Sequence, residues 1–312
     1  MRNNLMKILV NVVVLSTLLI AMDVFVGWSA GKYVKWLNKM PHDGDAALVN
    51  YNLNAAAPDV AILGSSTAIC HYNPDIIHDS LMAYLGKDFN VFNMGMSNQR
   101  LSYDYYGLKC LLERTNPKMV IVDVWASYIG KGDPSFSFGA YRPYVNVNHN
   151  VKELLIKHNK YDYLMKSNMY CFNTELVKLL MSAFKTTNVN GFTGSSVEMA
   201  NVSKDRMPDT TSLLPLSVEE FDNMLTLAKN SNTMLFVVLS PTLCSADTTS
   251  QSYLYMKKQC DKNEIPFLDY SNDERYYQSC YFRDKTHLNY NGAELFSQEL
   301  MKDIKKYLIK EE

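Results

Sequence analysis

The chain is 312 residues long, with 31 basic and 32 acidic side chains and a formal net charge of -1; 47% of it is apolar and 20% charged. This composition excludes extended disorder, and the near-zero charge gives no electrostatic case for nucleic acid. With 13 Gly and 10 Pro it is neither collagen-like nor linker-dominated, and its length allows one or two domains.

The first element is apolar. Arg2 and Lys7 flank a run from Ile8 to Trp28 that is broken by Asn11, Ser16, Thr17, Asp23 and Gly27. About 20 such residues cross a bilayer, and a basic flank ahead of them favours keeping that end in the cytoplasm. Lys32, Lys35 and Lys39 follow and weaken the asymmetry. Three readings stay open. One is an uncleaved signal anchor over residues 1–30. Another is a cleaved signal peptide, for which Ser29-Ala30-Gly31 is a poor exit. The third is a buried helix of a soluble protein, which Asp23 favours because a carboxylate inside lipid is costly. Residues 31–57 read as a linker. No second apolar stretch of comparable length follows, so residues 58–312 read as one soluble domain beyond the membrane.

From Pro58 onward short apolar runs recur: 59–63, 89–93, 119–125, 234–239 and 265–269. Runs apolar on both faces suit buried parallel strands. Helical patterns lie between them. Ser217-Val218-Glu219-Glu220 reads as a capping box, followed by Phe221, Met224, Leu225 and Ala228 on one face. Residues 253–262 form a further helix, and 291–308 close the chain with Phe296, Leu300, Ile304 and Leu308 in one stripe. The alternation predicts a three-layer α/β sandwich around a five-stranded parallel sheet. Residues 130–214, with helical pieces at 151–156 and 174–184, read as an insertion at the edge where such sheets hold their ligands. Shaping of a substrate cleft and a purely structural cap both fit it. Six cysteines show no metal-ligand spacing; in an oxidising compartment Cys260 and Cys280 could pair, and free buried thiols fit equally well.

Two segments carry chemistry. Gly64-Ser65-Ser66-Thr67 follows the first strand and leads into a helix, so a serine of this turn is held at the helix N-terminus with its N–H where an oxyanion could form. Near the C-terminus, Asp284 and His287 stand three apart on one turn. The carboxylate can orient the imidazole and leave its other nitrogen free as a base. The remaining histidines are weaker candidates: His71 lies five residues past Ser66, and His42, His78, His149 and His158 have no partner at useful spacing. Nothing in the residues calls for a metal or cofactor.

Taken together, these segments resemble the SGNH/GDSL hydrolase superfamily, in the variant found in cell-envelope glycan and teichoic-acid tailoring proteins. The resemblance spans roughly residues 58–308. Its first block puts the nucleophile third in a Gly-Ser-Ser turn, here Ser66. Its last block reads Asp-x-x-His-Leu-Asn-x-x-Gly, matched in full by Asp284 to Gly292. The second block, Asn93-Met94-Gly95-Met96-Ser97-Asn98, carries Asn98 in place of the usual final Gly. The third block has Trp125-Ala126-Ser127-Tyr128 where Gly-x-Asn-Asp is usual.

The resemblance implies a flavodoxin-like sheet and a Ser66–His287–Asp284 triad. It implies an oxyanion hole from the Ser66 N–H, the turn around Gly95 and Asn98, and Ser127, which either supplies a hydroxyl or leaves that donor missing. It also implies an esterase or O-acyltransferase acting on acyl, chiefly acetyl, esters of an envelope or exported glycan, outside the cytoplasm and without a cofactor. Two rivals remain. One is a non-catalytic protein of the same fold that binds polysaccharide or a membrane acyltransferase partner. The other is a cytoplasmic esterase whose N-terminal helix packs on the domain.

Overall fold

The sheet forms where apolar runs are buried on both faces. In the computed structural model, which describes residues 2–130, 138–185, 190–201, 205–206 and 212–308, the chain begins with α1 (Arg2–Leu37) and α2 (Asp45–Asn54). Then follow β1 (Val60–Leu63), α3 (Ser66–His71), α4 (Pro74–Leu85), β2 (Val91–Asn93), α5 (Leu101–Arg114) and β3 (Met119–Asp123). Next come α6 (His149–Lys157), α7 (Asn168–Ser182), β4 (Asp205–Arg206), α8 (Pro215–Lys229) and β5 (Met234–Leu239). The last are β6 (Cys244–Ser245), α9 (Gln251–Asn263), β7 (Phe267–Asp269) and α10 (Tyr290–Leu308). These elements divide into two units, Met1–Ala55 with Phe138–Thr187, and Ala56–Ser137 with Asn188–Glu312.

The first unit contains α1, α2, α6 and α7. α1 is long and apolar enough to cross a membrane, with a mean hydropathy of 2.4 over its most apolar stretch. At about 1.5 Å per residue its 36 residues span about 54 Å, more than the roughly 30 Å of a hydrocarbon core. Its side chains from Leu5 to Ile20 stand exposed, whereas Ala30, Val34 and Leu37 are buried. The change comes near Asp23. Its carboxylate accepts from the Ser167 hydroxyl at 2.6 Å, the Met169 N–H at 2.8 Å and the Asn168 amide at 3.2 Å. Asp23 therefore sits at the N-terminus of α7, where orphan N–H groups and the helix dipole favour an anion. Gly27 allows the close approach, since a Cβ there would lie 2.6 Å from Asn168 Cγ. This contact explains an acidic residue in an apolar run, so Asp23 no longer argues for a helix buried within a soluble protein. Asp23→Ala is expected to destabilise this unit by about 1 kcal/mol, the usual cost of losing a cap. Faster proteolysis around α7 in detergent would register it, and unchanged cleavage would contradict it.

The reading of 31–57 as a linker is corrected. α1 continues to Leu37, and α2 buries Val49 and Leu53 while Asn50 donates its amide to Val34 O at 3.0 Å. The expected insertion at 130–214 falls across both units. Residues 138–187 belong to this first unit, whereas 190–201 belong to the second.

The second unit is the α/β sandwich. Its main sheet runs β2-β1-β3-β5-β7, all parallel, the doubly wound order in which the chain starts near the middle. α4 packs with α10, while α5 packs with α8 and α8 with α9, giving a helical layer on each face. The core includes Ile62, Ile121, Phe236 and Val238 from the sheet, with Phe296, Leu300, Ile304 and Leu308 from α10. One local expectation, the capping box, fails, and of the two cysteine readings free thiols hold. α8 starts at Pro215, which fits the first helical turn, and has no side-chain cap. Glu220 is instead buried and accepts from the Ser102 hydroxyl at 2.7 Å. All six cysteines are free thiols, so Cys260 and Cys280 are not paired; Cys260 is buried on α9.

Candidate active site

β1 ends at Leu63, and Gly64 turns the chain with φ +144. A Cβ there would lie 2.8 Å from Ala68 Cβ and 2.9 Å from Asp123 Cβ, so only glycine fits. The turn makes Ser66 the first residue of α3. Its N–H is one of the orphan donors of that helix end.

The loop from 282 to 289 lies just before α10. An antiparallel bridge between Phe282 and Leu288 closes it, and the Arg283 N–H donates to His287 O at 3.0 Å. Inside this turn Asp284 accepts from the backbone N–H groups of Thr286 and His287, each at 2.9 Å, and from the Thr286 hydroxyl at 3.1 Å. The His287 Nδ1 lies 2.9 Å from both Asp284 oxygens, and its Nε2 lies 2.8 Å from Ser66 Oγ. Residues 221 positions apart are thus in hydrogen-bond contact. With Nδ1–H donated to the carboxylate, Nε2 accepts the Ser66 hydroxyl proton. Burial pushes the Asp284 carboxyl up, but the bonds from Thr286 and His287 outweigh it and hold the group at about 2. Arg283 Nε stands 3.4 Å from the same carboxylate.

The four oxyanion candidates fare differently. Ser66 is at the helix N-terminus, as above. Asn98 adopts φ 57 in a turn closed by the Gln99 N–H on Met96 O at 3.3 Å. This is left-handed backbone, which glycine and asparagine tolerate and other residues resist. The Gly95 N–H is a correction: it donates to Asn93 Oδ1 at 2.9 Å and is not available to a substrate. Ser127 makes no hydrogen bond to Ser66 or His287 among the described residues. In its region the Trp125 indole donates to Thr67 Oγ1 at 3.3 Å, next to the nucleophile position. Asn98→Gly is expected to leave activity within about 2-fold. Asn98→Val would force a β-branched residue into the left-handed region at about 1–2 kcal/mol and lower kcat. Equal kcat in the two variants would show that this turn does not touch the reaction.

Sequence reasoning missed a buried polar group beneath the site. Asp123, at the end of β3, is fully buried and accepts from Tyr72 OH at 2.7 Å and from the Thr67 hydroxyl. Burial raises its carboxyl to about 6 against those bonds. A single acidic residue closing an apolar strand gives no signal of its own, because its partners are 51 and 56 residues away.

No protein-family model matches the chain, and no curated protein matches it in sequence. Solved structures similar to it include the psychrotrophic esterase EstA from Pseudoalteromonas sp., 12% identical, with TM-score 0.43, covering 80% of this chain and 97% of that one. A lipase/acylhydrolase from Enterococcus faecalis is 13% identical, with TM-score 0.36, over 80% and 96% of the two chains. The acetyl xylan esterase AlAXEase is 11% identical, with TM-score 0.39, over 78% and 99%.

Proposed function

We propose that the chain is an SGNH-type serine enzyme of ester chemistry, with Ser66 as nucleophile, His287 as general base and Asp284 as its orienting carboxylate. The observation that carries this reading is the unbroken contact Ser66 Oγ–His287 Nε2–Asp284, 2.8 and 2.9 Å. The Asp-x-x-His-Leu-Asn-x-x-Gly segment and the Gly-Ser-Ser turn add to it.

Ser66 Oγ attacks the ester carbonyl as its proton passes to His287 Nε2. The oxyanion takes hydrogen bonds from the Ser66 and Asn98 N–H groups. Collapse expels the alcohol, which leaves with the proton from His287, and an acyl-Ser66 ester remains. An incoming hydroxyl then gives its proton to His287 and attacks the acyl carbon, and Ser66 regains a proton from His287. Water makes the protein an esterase; a sugar hydroxyl makes it an O-acyltransferase. Residues 1–30 hold the chain in a membrane and the sandwich lies outside the cytoplasm, which makes an acetylated envelope or exported glycan the substrate class.

The test is acetate release from a chromogenic acetyl ester by the full-length protein in detergent, with rising concentrations of an oligosaccharide acceptor. Ser66-dependent release supports the reading. Diversion of acetyl to the sugar assigns a transferase, and purely hydrolytic turnover an esterase.

A second reading is a binding protein of the same fold that engages polysaccharide or a membrane acyltransferase. The state of Gly95 and Ser127 favours it, because each missing oxyanion donor costs about 2.7–4 kcal/mol of transition-state stabilisation. Sugar binding with no release of acetate above the Ser66→Ala level would decide for it.

A further inference from the structure

His71, the last residue of α3, is fully buried and is not used by the mechanism above. Its ring stands beside the triad at 6.5 Å between centroids from His287, turned edge-on. The Leu288 N–H reaches His71 Nε2 at 3.0 Å. A backbone amide can only donate, so Nε2 accepts and the ring proton is on Nδ1. There it faces Ser240 Oγ at 2.9 Å. Thr286 O lies 3.1 Å from the same Nε2, but an unprotonated nitrogen has no proton to give a carbonyl, so the Leu288 N–H carries the link. Burial, and next the nearby His287, push the His71 ring well below the ordinary imidazole range, which keeps it neutral and able to accept.

Ser240, just past β5, is buried, and it is among the groups that hold the Asp123 carboxyl down against burial. Asp123 in turn accepts from Thr67, the residue after Ser66. Both chain segments that carry the reacting groups are therefore tied to buried polar groups at the strand ends. Towards the nucleophile the link is Thr67. Towards the base it runs from Ser240 through His71 to the Leu288 N–H. The Phe282–Leu288 bridge closes the 282–289 loop on itself, and His71 ties that loop to α3. Misplacement of a reacting group by 1 Å can cost about 10²-fold in rate.

We infer that His71 is a positioning residue: anchored on Ser240, it clamps the backbone beside His287 and holds the imidazole on Ser66. The inference rests on the Ser66–His287 reading, and the same assay separates the two. His71→Leu removes the acceptor and leaves the Leu288 N–H buried and unpaired. His71→Gln restores an acceptor near the Nε2 position, and His71→Asn, which is too short, restores a polar group only near Nδ1. In the full-length protein with a chromogenic acetyl ester, His71→Leu is expected to lower kcat by roughly 10- to 100-fold with KM within about 2-fold. His71→Gln should recover most of kcat and His71→Asn should not.

A folded His71→Leu protein with full kcat would overturn the inference, as would equal loss in the Gln and Asn variants. If His71→Leu fails to fold, Ser240→Ala removes only one oxygen and asks the same question. A several-fold loss in kcat at constant KM supports the clamp, and full kcat refutes it. Activity that survives Ser66→Ala would instead refute the triad beneath it.

Discussion

Ser66→Ala is expected to lower kcat for a chromogenic acetyl ester by at least about 10⁴-fold, and towards 10⁶-fold if the oxyanion donors contribute little alone. The size follows from the role. In the proposed mechanism Ser66 Oγ supplies the bond-forming atom, and it lies 2.8 Å from His287 Nε2. Without it, water must attack unaided. The substitution removes one oxygen from a partly buried residue in the first turn of α3, so the unfolding free energy should change by no more than about 0.5 kcal/mol. A loss below about 10-fold in a folded protein would remove Ser66 from the chemistry.

The second large effect belongs to Asp284. Asp284→Asn keeps the shape of the loop but replaces an acceptor pair with one acceptor and one donor facing His287 Nδ1, and this favours the wrong imidazole tautomer. Comparable changes cost about 10⁴ in kcat. The double variant with Ser66→Ala should be no worse than Ser66→Ala alone, because members of one catalytic unit are not additive.

The carboxyl is held at about 2, below its ordinary 3.8, by bonds from Thr286 and His287 that outweigh burial. A depressed carboxyl stabilises the folded form above its unfolded value, and that contribution is lost as the pH falls from about 3.8 through about 2. Loop stability in the wild type should therefore decline only in that window, and Asp284→Asn should lack the decline. Hydrogen exchange of the Thr286 and His287 amides measures it. A wild-type decline centred above pH 5 would contradict the assignment.

The two ends of the candidate site were legible through the family resemblance that their local patterns carry together, since the Gly-Ser turn is weak alone. Gly64-Ser65-Ser66 closes an apolar strand, and Asp284 and His287 share one turn. The five strands were legible as short runs apolar on both faces. What sequence missed depends on distant partners. His71 meets Ser240 and Leu288 at separations of 169 and 217 residues, so nothing near it marked its use. Asp23 looked like a fault in an apolar helix because Ser167, which answers it, is 144 residues away. α2 was read as linker because DAALVNYNLN lacks an apolar stripe, and it buries Asn50 and Asn52 alongside Val49 and Leu53. Gly95 is the opposite case. Its N–H is taken by Asn93 two residues back, an Asx-type turn that the spacing itself displays.

The central claim is that His287 activates Ser66, and covalent trapping tests it most directly. The full-length protein would be treated with a fluorophosphonate and digested, and the modified residue located by mass spectrometry. The expected result is a single phosphonyl adduct on Ser66, formed at least about 100-fold more slowly in His287→Ala, because the hydroxyl then has no base. An unlabelled Ser66, an adduct elsewhere, or equal labelling in His287→Ala would contradict the account.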